Sequence, residues 1–312
     1  MNLKISTAPH FHNPVNTKAL MRNVLIALAP TTIYGVYAFG LPALMLLAVS
    51  CASAVLSEFL WQKIAKKKVR VGDLSALVTG LILGLNLPAN APWWLALIGS
   101  AFAIIVVKQL FGGLGDNFLN PAMAARAVLL ASWPAHMTKY VCPTFFQEGI
   151  DAVTTATPLA TGTASLRDLF LGNIPGTIGE VCKAAILLGF VYLLVTRTIR
   201  WRIPVIMVGS VFIFSWLFGR DPVQAILSGG VLFGAVFMAT DYVTNPMTPL
   251  GQMIYAFGIG LIISVIRQFG SYPEGVTYGI LLMNIATPLI DRFIPRKVYG
   301  HTYGRKKEAK KA

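Results

Sequence analysis

Residues 151–163 read Asp151-Ala152-Val153-Thr154-Thr155-Ala156-Thr157-Pro158-Leu159-Ala160-Thr161-Gly162-Thr163, a hydroxyl-rich run that opens on a carboxylate. Hydroxyls among small residues can hold a phosphate by hydrogen bonds, and the same composition equally describes a solvated loop. A second chemistry-bearing set lies inside or at the ends of apolar sequence: Glu58, Lys108, Arg126 and Arg267. Charge at membrane depth is costly, so each must face a cavity or a partner, or snorkel to the interface from a helix end. The third set is a pair of Asn-Pro interruptions, Asn120-Pro121 and Asn245-Pro246, with Asp116 and Asp241 just before them. Proline lacks a donor and breaks the helix, freeing carbonyls where a ligand or ion can meet them. The same pattern also starts an ordinary interfacial helix, with Asn as cap and Pro in the first turn. Asp116 and Asp241 therefore read either as members of an ion path or as helix caps.

Other chemistries lack their residues. Cys51, Cys142 and Cys182 form no C-x-x-C pair and have no histidine at ligand spacing, and His10-Phe11-His12 stands alone, so no metal site is expected. There is no nucleophile–His–acid set, no P-loop and no glycine-rich dinucleotide fingerprint.

The elements that must position these residues are set by composition. Of 312 residues, 55% are hydrophobic and only 12% charged, against roughly 25% charged in a typical soluble chain. Mean hydropathy is +0.67. This excludes a water-soluble globule, disorder and coiled coil, and predicts an all-α polytopic protein in contact with membrane lipid. Apolar segments run over 23–40, 42–61, 74–87, 93–111, 122–134, 178–196, 203–218, 222–240, 250–268 and 275–290. That is about ten transmembrane helices, of which the third and fifth are too short for a regular span of about 20 residues and are expected to be broken, tilted or extended.

The net charge of +14 would suggest a nucleic-acid partner in a soluble chain. Here it reports orientation instead, and no nucleic acid is expected. The N-terminus, the connection after the second segment (Lys63, Lys66, Lys67, Lys68, Arg70), that after the sixth (Arg197, Arg200, Arg202) and the tail together hold most of the 26 Lys and Arg. With ten spans all four lie on one side, so both termini read as cytoplasmic and the long 135–177 connection as extracytoplasmic. Residues 1–22 lack the compact apolar core of a cleavable signal, so the first apolar segment is expected to be retained.

An internal repeat overlies this pattern. Asp73-Leu74-Ser75-Ala76-Leu77-Val78-Thr79-Gly80 resembles Asp221-Pro222-Val223-Gln224-Ala225-Ile226-Leu227-Ser228-Gly229, and Val106-Val107-Lys108-Gln109-Leu110-Phe111-Gly112 resembles Val265-Ile266-Arg267-Gln268-Phe269-Gly270. Five segments per half is an odd number, which gives two inverted five-helix repeats with broken helices. The expected organisation is a cytoplasmic segment 1–22, a first repeat 23–134, the connection 135–177, a second repeat 178–291 and a basic tail 292–312. Inverted repeats with broken helices are also the architecture of flavin-free channels and transporters for small solutes, and that reading stands beside any other on these features alone.

The run at 151–157 resembles the attachment motif D-x-x-[S/T]-G-A-T of the D-type membrane subunits of Rnf ion-translocating ferredoxin:NAD oxidoreductases. These are relatives of the B-type subunits of sodium-translocating NADH:quinone reductases. Thr155 stands where glycine is usual. The stretches Gly113–Arg126, Ala239–Pro249 and Arg267–Gly275 are also similar to that family, so the resemblance spans nearly the whole chain. It implies FMN joined by a phosphoester to Thr157, with Asp151, Thr154, Thr155 and Ala156 forming the rest of the motif. Thr157 is then a tether, and Lys139 or Arg167 is available to balance the phosphate. The resemblance further implies a bacterial inner-membrane protein that relays electrons between ferredoxin and NAD in a complex moving sodium ions or protons. The other Rnf subunits and a flavin transferase are the partners. Related reductases hold a second, non-covalent flavin, riboflavin, to which no residue is assigned. Such a chain has no complete activity alone, because it carries neither a nicotinamide nor an iron–sulfur site.

Overall fold

The computed structural model describes residues 16–143, 154–155, 165–270 and 275–295. The chain is mostly helical. Helices α1 (Thr17–Phe39) and α2 (Leu41–Ile64) are continuous but for a kink at Gly40, whose φ of 69° is open to glycine at little cost. Asn16 caps α1 by accepting from Ala19 N–H at 2.9 Å. There follow α3 (Ser75–Leu85), α4 (Trp93–Gln109) and α5 (Pro121–Ser132). The last seven residues of α4, Ala103–Gln109, are wound as a π-helix. A two-stranded antiparallel ladder pairs β1 (Tyr140–Val141) with β2 (Thr154–Thr155). Beyond it lie α6 (Leu166–Leu171), α7 (Lys183–Val195), α8 (Arg202–Leu217) and α9 (Pro222–Leu227). The chain continues through α10 (Val231–Phe233, extended by a π turn over Gly234–Met238), α11 (Pro249–Phe269) and α12 (Val276–Phe293).

Among the described residues three helices, α1, α2 and α11, are long and apolar enough to cross a membrane, and α3, α4, α5, α7 and α8 are shorter apolar helices. Their outward faces carry large apolar side chains, Ile33 at 69% exposure and Trp216 at 70% among them. A surface this apolar suits lipid rather than water. The fold is therefore that of a polytopic membrane protein.

Lipid removes the hydrophobic drive between helices, so close packing and hydrogen bonds hold them together. At Gly80 of α3 an added Cβ would sit 2.8 Å from Ser50 O of α2, and the Ser50 hydroxyl donates to Gly80 O at 2.7 Å. Gly260 of α11 approaches α8 in the same way, with Met207 O 2.9 Å from where its Cβ would lie.

Two sequence expectations need correction. The sixth segment, expected from residue 178, becomes helical only at Lys183. Instead Ile178 N–H donates to Leu87 O at 3.1 Å and Gly179 N–H to Leu85 O at 2.7 Å, so 178–179 satisfy carbonyls left at the end of α3. Pro88 and Thr177 close this clasp as an isolated bridge. The eighth segment, expected as one run over 222–240, is broken at Ser228–Gly230, where Gly229 has φ 66°. The third and fifth segments are short, as expected, with 11 and 12 helical residues.

Candidate functional site

Ionic and polar groups gather at three places inside the bundle and at one place in the long connection. The first is built by α2, α3 and α4. Glu58 Oε1 accepts from Lys108 Nζ at 2.9 Å, from Gln109 Nε2 at 2.7 Å and from Gln62 Nε2 at 3.2 Å. Lys108 Nζ also donates to Ser75 Oγ at 2.6 Å, and Ser75 Oγ in turn donates to Asp73 Oδ1 at 2.6 Å. Lys108 and Gln109 are adjacent in sequence, and the π winding of α4 ends on them; such insertions often mark functional sites. Glu58 Oε2 is buried with no hydrogen-bond partner among the described residues. The cluster borders a cleft of about 570 Å³ that is also lined by Lys67, Lys68, Arg70 and Asp116. Asp116 itself is exposed, held in a turn at Gly112-Gly113 where both residues have positive φ.

The second place joins the Asn-Pro break of α5 to α10–α12. Asn120 Oδ1 caps α5 by accepting from Ala122 N–H at 3.1 Å and Met123 N–H at 3.2 Å, while Asn120 Nδ2 donates to Met238 O at 3.1 Å. With its amide oriented to satisfy both neighbours, Asn284 accepts from Asn120 N–H at 3.1 Å and donates to Tyr255 Oη at 2.6 Å. Within the same bundle Arg126 NH1 donates to Asn86 Oδ1 at 2.7 Å, so this buried cation meets a side-chain amide just past the end of α3. The other break, at Pro246, leaves its carbonyl to Gln252 Nε2 at 3.1 Å, and Thr244 O accepts from the Thr287 hydroxyl at 3.0 Å. Asp241 lies between, with Oδ2 accepting from the Thr244 hydroxyl at 3.2 Å. Burial pushes its carboxyl above the ordinary value, opposed by hydrogen bonds from Thr244 and from the Val243 and Tyr242 amides. Both Asn-Pro motifs thus open helix ends into the interior, but Asn120 alone is the cap of the helix it precedes; Thr248 caps α11.

The third place holds Arg267, near the end of α11. Its guanidinium donates from NH1 to Ala225 O at 2.6 Å and from NH2 to Ser228 O at 3.1 Å, both at the end of α9. Two buried charges that sequence reasoning passed over, Glu180 and Lys183, stand at the start of α7, where Lys183 Nζ donates to Glu180 O. Their signal was available, since both fall inside the apolar segment expected over 178–196.

In the connection, Thr155 pairs with Tyr140 and Thr154 with Val141, so the motif's two central threonines are in extended backbone. Asp151, Ala156 and Thr157 lie outside the described residues. Lys139, one residue before the ladder, is exposed, as is Arg167 in α6. Ser165 caps α6, accepting from Asp168 N–H at 3.2 Å, and the Tyr34 hydroxyl of α1 donates to Leu171 O at 2.6 Å, which ties the connection to the bundle. Extended backbone next to an exposed cation is compatible with a tethered phosphate. Of the five sequence-selected residues, Lys108 and Asp241 line one cavity, with Asn120 and Tyr242 also in its wall; Asp116 lines the cleft beside Glu58 and Gln109, while Arg126 and Arg267 meet their partners elsewhere in the bundle.

Such a bundle, with buried cations matched to carboxylate, amide and carbonyl partners and polar breaks between its helices, defines a membrane protein built to keep charge inside. Comparison with known proteins is specific. The sequence model of the NQR2, RnfD, RnfE family matches residues 4–300, and the chain belongs to that family. It is 51% identical to the D-type subunit of the Na(+)-translocating ferredoxin:NAD(+) oxidoreductase complex of Acetobacterium woodii, over 99% of each chain. It is 42% identical to the proton-translocating counterpart of Clostridium ljungdahlii, over 95% of this chain and 96% of the relative. The D-type subunit of the ion-translocating oxidoreductase complex of Halorhodospira halophila is 38% identical over 96% of each. The resemblance seen in the sequence is borne out over the whole chain.

Proposed function

We propose that this chain is the D-type membrane subunit of an Rnf-type complex, relaying electrons between ferredoxin and NAD while the complex moves sodium ions or protons. The observation that carries this reading is the end-to-end identity of 51% with the D-type subunit of a complex named for that activity. The other Rnf subunits are its partners, and a flavin transferase is the partner for maturation. In this reading the ten apolar segments all cross the inner membrane as two inverted halves, 23–134 and 178–291, with both termini cytoplasmic and 135–177 outside. The cation-rich connections on one side support that orientation.

The cofactor of this reading is FMN, esterified through its phosphate to the Thr157 hydroxyl; bound there, it supplies one- and two-electron transfer that the protein's own side chains lack. The chain's residues position it. Thr157 offers the hydroxyl, Pro158 biases the Thr157 backbone to extended conformations, and Lys139 and Arg167 stand ready to balance phosphate charge. Asp151, Thr154, Thr155 and Ala156 complete the recognition motif. Riboflavin, the second flavin of the reading, has no assigned residues. For ion movement the reading assigns the interior charges Lys108, Arg126 and Arg267 and the carboxylates Asp116 and Asp241, which border the breaks and the cleft described above.

The test is in-gel flavin fluorescence of the denatured protein, produced with its cognate transferase. A fluorescent band that disappears in Thr157→Ala is expected. A dark wild-type band with demonstrably active transferase would overturn the flavin assignment and favour a flavin-free transporter.

A further inference from the structure

A cleft of about 330 Å³ opens between the turn that joins α7 to α8 and the broken stretch before α11. Arg197, Arg200, Thr198, Tyr242, Asn245 and Gln252 line it. Three features set it apart from an ordinary surface dent. Gln252 is 7% exposed, yet its Oε1 has no hydrogen-bond partner among the described residues, although its Nε2 is bound to Pro246 O. A buried amide oxygen left bare costs free energy unless a donor reaches it. Arg197 and Arg200 are exposed, and among the described residues neither guanidinium meets a carboxylate. Finally, Arg197 has φ 53°, a left-handed conformation uncommon for a residue with a Cβ.

The surroundings of this cleft suit the boundary between water and hydrocarbon. Trp201 is 56% exposed beside Arg200 and Arg202, the arrangement of an interfacial aromatic next to cations. Exposed Met247 and Leu250 continue from the rim of the cleft onto α11, which is long and apolar enough to cross the membrane. A ligand that fits must bring negative charge for two arginines, a hydroxyl donor for Gln252 Oε1, and apolar chains for the adjoining surface.

We infer that this cleft is a binding site for the headgroup of an anionic phospholipid bearing hydroxyls, of the phosphatidylglycerol type. The phosphate sits between Arg197 and Arg200, and a glycerol hydroxyl donates to Gln252 Oε1. Arginine suits the role because its planar fork grips phosphate oxygens in pairs. The inference goes beyond the electron-transfer reading and needs only that the chain resides in a membrane.

Native mass spectrometry of the full-length chain, purified from mixed vesicles of phosphatidylcholine and phosphatidylglycerol into mild detergent, tests it. Wild type is expected to retain phosphatidylglycerol selectively, with retention falling about fivefold for each arginine removed in Arg197→Gln and Arg200→Gln. Gln252→Leu, which keeps the size and loses the acceptor, should also weaken retention, whereas Lys68→Gln, an exposed cation in a different cleft, should not. Monodisperse elution of each variant shows that it is folded. Equal retention in all variants, or an equal loss in Lys68→Gln, overturns the site. Displacement of the lipid by soluble glycerol phosphate at matching affinity overturns the lipid assignment and makes the cleft a site for a free phosphate ester.

Discussion

Lys108 and Arg267 occupy matching points of two similar stretches, yet the protein buries them by different means. Lys108 presents a compact ammonium, and it is met by a carboxylate, Glu58, and a hydroxyl, Ser75. Arg267 spreads its charge over a fork that takes two carbonyls, Ala225 and Ser228, at the C-terminal end of a short helix where carbonyls lack intrahelical donors. One half of the molecule neutralises a buried cation with an opposite charge. The other brings backbone carbonyls, freed by the break at Ser228–Gly230, to its guanidinium. A broken helix can thus supply acceptors to a buried cation, and each arrangement should fail in its own way.

The largest effect is expected where a charge is orphaned. Lys108→Met leaves Glu58 buried without its cation and should cost about 3–5 kcal/mol of stability, while the double variant Lys108→Met/Glu58→Leu should recover most of that loss. Thermal unfolding in detergent of the two singles and the double measures this; strictly additive losses would show that Lys108 and Glu58 are not coupled. Next, Arg267→Lys keeps the charge but cannot serve both carbonyls, and should cost about 1–3 kcal/mol. A neutral outcome in the same assay would show that charge alone matters at that position. Asn120→Ala sets the scale for an uncharged group: it removes the cap of α5 and the bond to Met238 O, for a loss of about 1–2 kcal/mol.

The smallest effect concerns Asp241, a carboxyl held by hydroxyl and amide groups. Burial raises its folded-state pKa above the unfolded value. The folded protein therefore binds that proton more tightly, so this contribution to stability is present at low pH and is lost as pH rises through the folded-state pKa. Asp241→Asn should match wild type in acid, stand slightly above it at neutral pH, and flatten the slope between. Unfolding temperatures of the two proteins across that range decide it; parallel profiles would remove Asp241 from the titrating groups.

Much of this was legible in the sequence. Each apolar segment contains helix, because length and hydropathy decide that in a lipid-facing chain, though the sixth and eighth are helical over only part of their length. Glu58 and Lys108 could be singled out because charge inside apolar sequence is conspicuous. Their pairing could not, since it depends on which faces of α2 and α4 meet. The carbonyl partners of Arg267 were invisible for a similar reason: backbone groups carry no residue identity, and only the break in the eighth segment releases them. Residues 178–182 were misread as helix because the run around them is apolar, whereas carbonyls at the end of α3 claim Ile178 and Gly179. The flavin motif was read from residue order alone; Asp151, Ala156 and Thr157 lie outside the described residues, and only Thr154 and Thr155 gain a structural setting.

The clasp between Leu85–Pro88 and Thr177–Gly179 also bears on how the chain is made. Gly179 packs so tightly that an added Cβ would lie 2.7 Å from Leu85 Cβ, and Gly35 leaves room for Ile178 in the same way. During synthesis the carbonyls of Leu85 and Leu87 must wait for residues 178 and 179 to emerge before their donors exist. Until then α3 ends in unsatisfied backbone, a costly condition in hydrocarbon. The first 134 residues therefore lack donors for these two carbonyls, and the clasp closes only once the segment that follows the long connection has arrived.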